Sequence, residues 1–337
     1  MAGSAIRVWP VASAKGDTVR AFWMSALAGV LLCAGVVHAQ EKYPARSIRI
    51  LVGFGPGSGT DVLARTVGQK LADRWGQSVV VDNRAGASGV IATELLARAS
   101  ADGYTLALVA IGHAFNAAAG VKLPYDALKD FAGVTMVADI PNVLVVSPAL
   151  RIKSMRELMD LGKSRQLSWA SAGVGSAGHL NGELFNLTVG IKTTHVPFKG
   201  MPDALTSLVG QHVEFVFSSV TAAVNLVKSD RLVALAVSSK ARSPVLPEVP
   251  TMAEAGLRNF SFTSWYGLLA PAKTPKAVKD RLAQEVERIL ALADVRERLL
   301  ALGATPQATT PEAFDEMIRQ DVVRLARLIK DAGLSTQ

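Results

Sequence analysis

Ile48-Arg49-Ile50-Leu51-Val52-Gly53-Phe54-Gly55-Pro56-Gly57-Ser58-Gly59-Thr60-Asp61 reads as a strand, then a glycine-rich loop, then the start of a helix. The first five residues are apolar apart from Arg49, and Ile48, Ile50 and Val52 are β-branched. Leu63, Val67, Leu71 and Trp75 follow at helical spacing. Such a helix start leaves backbone N–H groups without intrahelical partners, and the helix dipole is positive there. An anion fits that end, and glycine lets a ligand approach the backbone closely. A second strand–loop–helix of this kind spans Leu167 to Leu187. Two such ends in one chain suggest a receptor for a small carboxylate.

In the first loop the candidate ligand contacts are Phe54, Gly57, Ser58, Gly59, Thr60 and Asp61, with Ser58 and Thr60 as hydroxyl donors. Asp61 suits satisfying backbone amides at the helix start better than touching a ligand. No Lys follows the glycines, so the loop is not a phosphate-binding Walker loop, and it fits the dinucleotide fingerprint poorly. A tight turn that binds nothing is the plainer alternative. In the second loop the candidates are Ser171, Ala172, Gly175, Ser176, Ala177 and His179. His179 lies one turn into the helix, where packing the loop is its simpler role. Neither Ser58 nor Ser176 has glycine both two before and two after it, so a hydrolase nucleophile elbow fails at both. His113, Phe198, Lys199 and Ser218 complete the candidate set; Phe198, Lys199 and Ser218 lie at or just beyond strand ends, and Ser219 beside Ser218 is a cleft donor on the same grounds. His113, His195 and His212 have no metal-ligand spacing. No metal, cofactor or catalytic residue is expected.

The remainder of the chain alternates strand and helix patterns, which implies parallel-type sheets flanked by helices. Ligands in such sheets sit beyond the carboxyl ends of strands, where both loops fall. Phe131–Val137 and Val143–Ser147 read as two strands. Thr274-Pro275 and Thr310-Pro311 start two closing amphipathic helices. Trp265-Tyr266 suits ligand stacking or, more simply, core packing.

The start of the 337-residue chain reads as an export leader. Arg7, Lys15 and Arg20 precede an apolar run from Ala21 to Val37, and Val37-His38-Ala39 is a small-residue cleavage pattern. A retained membrane anchor is the alternative. Cys33 is the only cysteine, so the chain after residue 39 can form no disulfide or cysteine metal site. The leader carries three of the 36 Lys/Arg and one of the 28 Asp/Glu, which leaves 33 against 27, a net +6. The basic residues are scattered, which argues against nucleic acid and favours anionic solutes.

At these residues the chain resembles the periplasmic substrate-binding receptors of tripartite tricarboxylate transporters, the Bug family. The resemblance covers roughly residues 42 to 334. It is carried in order by Val52–Arg65, Asn83-Arg84 with Gly86 and Gly89, Asp102-Gly103-Tyr104-Thr105 and Leu123-Pro124-Tyr125-Asp126. Gly173–Leu180, His195-Val196-Pro197-Phe198-Lys199-Gly200, Val249-Pro250-Thr251 and Trp265 with Gly267-Leu268 continue it. The resemblance implies an α/β, two-lobed flytrap fold with two crossovers between lobes. One loop from each lobe would grip a carboxylate through amides, hydroxyls and bridging water. The expected organisation is a signal peptide at 1–39, lobe one at 42–140 and 243–337, and lobe two at 141–242. A monomer in the periplasm would deliver its solute to membrane permease subunits; a sensor partner, or less readily an exported hydrolase or lyase, are the alternatives. Gly57-Ser58-Gly59 departs from the paired glycines usual in the family, which bears on ligand choice.

Overall fold

The computed structural model describes residues 1, 3, 5, 7–10, 43–120 and 122–332. The chain divides into Met1–Lys42 and a compact unit, Tyr43–Gln337. The described residues of the first unit have no regular structure. The expected apolar leader core Ala21–Val37, Cys33 and the cleavage pattern at Val37–Ala39 lie outside the described residues.

Strands β1 (Ile48–Val52), β2 (Val79–Asn83) and β3 (Thr105–Ala110) pair in parallel, with β1 in the middle. Strands β5 (Leu167–Ser171), β6 (Thr193–Pro197) and β7 (Phe215–Ser219) repeat that arrangement around β5. Between the two sets run β4 (Phe131–Val146) and β9 (Thr263–Pro271), antiparallel to each other. β8 (Val233–Val237) and β10 (Thr305–Pro306) also pair with β4. The result is one ten-stranded sheet along the path β2-β1-β3-β9-β4-β7-β5-β6, with β8 and β10 at its side. The chain goes out to the second lobe along β4 and comes back along β9, so those two strands must oppose each other. The two-lobed α/β fold with two crossovers is therefore present.

The two strands expected at 131–137 and 143–147 are one strand of sixteen residues. Pro141 breaks the sequence pattern because proline cannot donate to a ladder. In the fold it sits where β4 leaves β9, opposite Thr263, and Asn142 is the first residue of β4 to pair with β7, opposite Ser219.

Alternation along the strands assigns the core. Ile48, Ile50 and Val52 pack on one face, with Leu63, Val67 and Leu71 of α1 (Gly59–Trp75) and Leu282, Val286 and Ile289 of α8 (Lys276–Ala291). Leu51 points to the other face, among Ala92 and Leu96 of α2 (Val90–Ala97) and Phe314, Ile318 and Leu325 of α10 (Pro311–Ala332). Burial on both faces explains why β1 is an unbroken apolar run apart from Arg49. Each such side chain contributes about 1.5–3 kcal/mol by leaving water.

In the second lobe, Val143 and Val145 meet α6 (Met201–Val209) and α7 (Val220–Lys228). Leu144 and Val146 meet α4 (Met155–Ser164) and α5 (Ala177–Val189). Leu246 and Val249 share the first of these cores, and Met252, Leu257 and Phe260 the second. Residues 246–260 thus pack with the second lobe, whereas the resemblance places the return at 243. The first of the two expected closing helices is interrupted at Leu292, which is extended (φ −63°, ψ 135°), and α9 (Ala293–Ala301) follows it. α3 (Gly112–Ala118) completes the first lobe. Among the described residues, no helix is long and apolar enough to cross a membrane.

Candidate functional site

The first loop is fixed by its own polar groups. Ser58 caps α1 by accepting the Asp61 N–H at 3.3 Å, and its Oγ lies 3.0 Å from Thr60 Oγ1. Asp61 points back into the loop. Its carboxylate accepts Gly57 N–H at 2.9 Å, Asn83 Nδ2 at 2.9 Å and Arg65 Nε at 3.0 Å. Burial works to raise its pKa, but Arg65, the Gly57 amide and Asn83 outweigh burial and hold it below the usual value. Asp61 thus braces the loop, as its position in the first turn suggests.

The second loop is built alike. Ser176 caps α5 by accepting the His179 N–H at 3.3 Å. Gly173 (φ 117°) and Gly175 (φ 83°) occupy the left-handed region that glycine tolerates. The Gly175 N–H donates to His179 Nδ1 at 3.2 Å. Ser171 Oγ accepts the Gly173 N–H at 3.0 Å and lies 2.7 Å from His195 Nε2. His195 stacks on Trp169 at 4.3 Å, and His179 lies 4.7 Å from His195. Burial pulls His195 down to about 4; burial, then the charge of His195, pull His179 down to about 3. Both rings are neutral packing groups behind the loop. Ser171 is fully buried, so its contact with His195 presents no nucleophile to a solute.

The two loops meet. A cleft holding about 470 Å3 of atom-free space, part of it open to solvent, is lined by Phe54, Ser58, Gly59 and Thr60 of the first lobe. Ala172, Ser176, Ala177, Gly178 and Met201 of the second lobe line it too, as do Ala110, Gly112, Asn142, Ser219 and Tyr266. None of these described lining residues is charged. The cleft therefore offers hydroxyls, amides and two helix starts rather than a cation. Burial pushes the Tyr266 phenol up to about 12, so it stays protonated and able to donate.

Of the sequence candidates, Phe54, Ser58, Gly59, Thr60, Ala172, Ser176 and Ala177 line this cleft. Gly57, Asp61, Ser171, Gly175 and His179 instead hold the loops in shape. His113 does not line the cleft but an adjoining cavity, with Gly53, Ser88 and Asn116, that shares Phe54, Ala110 and Gly112 with it. Its Nε2 contacts Ala127 O at 3.0 Å, and burial pulls it down to about 4. Phe198 packs into the second-lobe core, and Lys199 is exposed. Ser218 Oγ donates to Ser219 O at 3.0 Å, and Ser219, one residue on, reaches the cleft. Trp265 is core, bonded through Nε1 to Asp321 at 2.6 Å, while its neighbour Tyr266 lines the cleft. Asn142 is the polar lining residue that sequence reading does not place there; Ser219 and Tyr266 each stand beside a second residue, Ser218 and Trp265, between which the sequence alone does not choose. One signal for Asn142 is a lone amide inside an apolar strand, directly after a proline.

The lobes touch around the cleft. Ser88 Oγ donates to Val174 O across the gap. Gly112 approaches the Gly175 carbonyl.

Known proteins share this fold. The sequence profile of the family described as tripartite tricarboxylate transporter family receptor matches residues 63–334. Protein BugT of Bordetella pertussis is 37% identical over 317 residues, covering 91% of this chain and 97% of BugT. The structure of the periplasmic binding protein BugD superposes with a TM-score of 0.84 at 32% identity, over 88% of this chain and 100% of BugD. R. palustris Rpa4515, solved with adipate, superposes at 0.85 with 33% identity, over 87% of this chain and 99% of that one. The chain belongs to the tripartite tricarboxylate transporter receptor family, the Bug-type periplasmic solute-binding receptors.

Proposed function

We propose that this protein captures a small carboxylate between its lobes and delivers it to the membrane permease of a tripartite transport system. The observation that carries this reading is the meeting of Ser58 and Thr60 from one lobe with Ser176 from the other in a single cleft. Two helix starts point their free N–H groups toward one anion, and the hydroxyls add donors. The adipate recorded with Rpa4515 supports a carboxylate as the class of solute. Ser58, Gly59, Thr60, Ala172, Ser176 and Ala177 are the proposed contacts to the carboxylate. The lobes on this reading are residues 43–140 with 263–332, and 141–262. The chain acts by binding and release, without chemistry on the solute, after export through its leader.

None of the described lining residues carries a guanidinium or ammonium, so the hydroxyl donors matter individually. A hydrogen bond to a charged group contributes about 1.5–3 kcal/mol, so Thr60→Ala and Ser176→Ala should each weaken binding roughly 10- to 150-fold. The probe is the acid giving the largest thermal shift among short straight-chain mono-, di- and tricarboxylates. Calorimetric affinity unchanged in both variants would remove the proposed contacts.

A further inference from the structure

The two loops are not the only donors in the cleft. Asn142 lines it, is 2% exposed, and its Nδ2 has no hydrogen-bond partner. A buried amide N–H without a partner is costly and calls for an explanation. The Asn142 backbone is engaged, since its N–H donates to Ser238 Oγ at 2.9 Å. Only the side-chain amide is free, and its terminal torsion is soft and roughly two-fold. Rotation about that torsion presents either N–H2 or C=O to the cleft.

Ser219 stands opposite Asn142 in the β4–β7 ladder and lines the same cleft. It is also the N-cap of α7, a nine-residue helix, and its hydroxyl makes no capping bond. Thr221 in the first turn of α7 is buried with its Oγ1 unpartnered. A third helix start therefore reaches the cleft at an amide with no protein partner. No Asp or Glu is among the described lining residues. A solute ammonium would meet only hydroxyl and amide oxygens there.

Resting on the carboxylate reading above, we propose that Asn142, with Ser219 at the start of α7, reads a second oxygen acceptor on the solute and so sets its specificity. The site selects acids that carry a further carboxylate or hydroxyl oxygen and rejects those that carry an ammonium. Asn142 is placed for this by topology: it is the β4 residue at which the strand passes from one lobe to the other.

The test uses matched solutes in calorimetry: adipate, hexanoate and ε-aminohexanoate, then succinate, β-hydroxybutyrate, butyrate and γ-aminobutyrate. The wild-type protein should bind adipate or succinate, or the hydroxy acid, more tightly than the matched plain monoacid, and the ammonium-bearing acid least. Asn142→Ala should lower the affinity of the doubly oxygenated acid roughly tenfold or more and leave the plain monoacid unchanged. Its unliganded melting temperature should not fall, because the Nδ2 has no protein partner to lose. Asn142→Asp should repel the diacid further and narrow its advantage over the ammonium-bearing acid. Equal losses for monoacid and diacid in Asn142→Ala, or no loss at all, overturn the assignment while the carboxylate reading stands. So does a wild-type protein that binds the ammonium-bearing acid as well as the diacid. A wild-type protein blind to every acid in both sets overturns the carboxylate reading and this assignment together.

Discussion

Gly112 separates binding from folding. It opens α3 in the first lobe, and its backbone needs no left-handed conformation. A Cβ placed there would stand 3.0 Å from the Gly175 carbonyl oxygen of the second lobe. That oxygen belongs to the backbone of the loop that Ser171 and His179 brace, so it has little freedom to retreat. Gly112→Val adds further atoms at the same contact. Overpacking of this kind costs about 1–3 kcal/mol, and the cost falls only on the arrangement in which the lobes meet. At about 1.4 kcal/mol per tenfold, the dissociation constant should rise roughly 5- to 150-fold. Gly112→Ala should show a smaller rise. Its unliganded melting temperature should hold or increase, since glycine in a helix is about 0.8–1 kcal/mol worse than alanine. The assay pairs calorimetric affinity for the best acid with unliganded thermal melts. Affinity within twofold of wild type in Gly112→Val, with an unchanged melt, would refute the idea that the solute is held by closing these two loops on each other.

Two further outcomes follow from the loop supports. Asp61→Ala removes the acceptor of Gly57, Asn83 and Arg65, so it should cost about 1–3 kcal/mol of stability in a denaturant titration and weaken binding as well; a neutral result would mean that the loop holds its shape without that carboxylate. Burial holds His113, His179 and His195 near pH 4 or below, against about 6.5 in the unfolded chain. The unfolded state thus takes up more protons between pH 6.5 and 4, so stability is full above pH 6.5 and falls as the solution is acidified through that window. Each ring contributes a slope of up to about 1.4 kcal/mol per pH unit. His195→Phe, which can keep a stack on Trp169, should flatten the curve by one such contribution; an unchanged slope would show that His195 is not buried neutral.

The parts of the site legible in the sequence are the local ones. A strand ending in glycines and a capping serine announces a helix start within a dozen residues, so Ser58, Thr60 and Ser176 stand out. The alternation of core residues likewise assigns β1 to a sheet covered on both faces. What sequence reading misses, or leaves open between two neighbours, depends on pairing between distant segments. Asn142 reaches the cleft because β4 runs unbroken through both lobes, and Pro141 hides that continuity. Ser219 is one residue beyond Ser218, and which of the two faces the cleft follows from strand register, where one step reverses every side chain. Tyr266 beside Trp265 shows the same alternation, one ring in the cleft and the other bonded to Asp321. His113 looks functional as a lone histidine, yet it packs edge-on against Phe131 at 5.4 Å. The return to the first lobe that the resemblance places at 243 comes later in the fold, because Leu246 and Val249 are apolar anchors in the second-lobe core.

The most direct measurement is calorimetric titration of the protein with each short carboxylate, beside its primary amide and methyl ester. A receptor that grips an anion between two helix starts should bind the free acid and lose most of that affinity when the carboxylate is neutralised. Equal affinity for acid, amide and ester would contradict the account, because the loops would then be reading a neutral group.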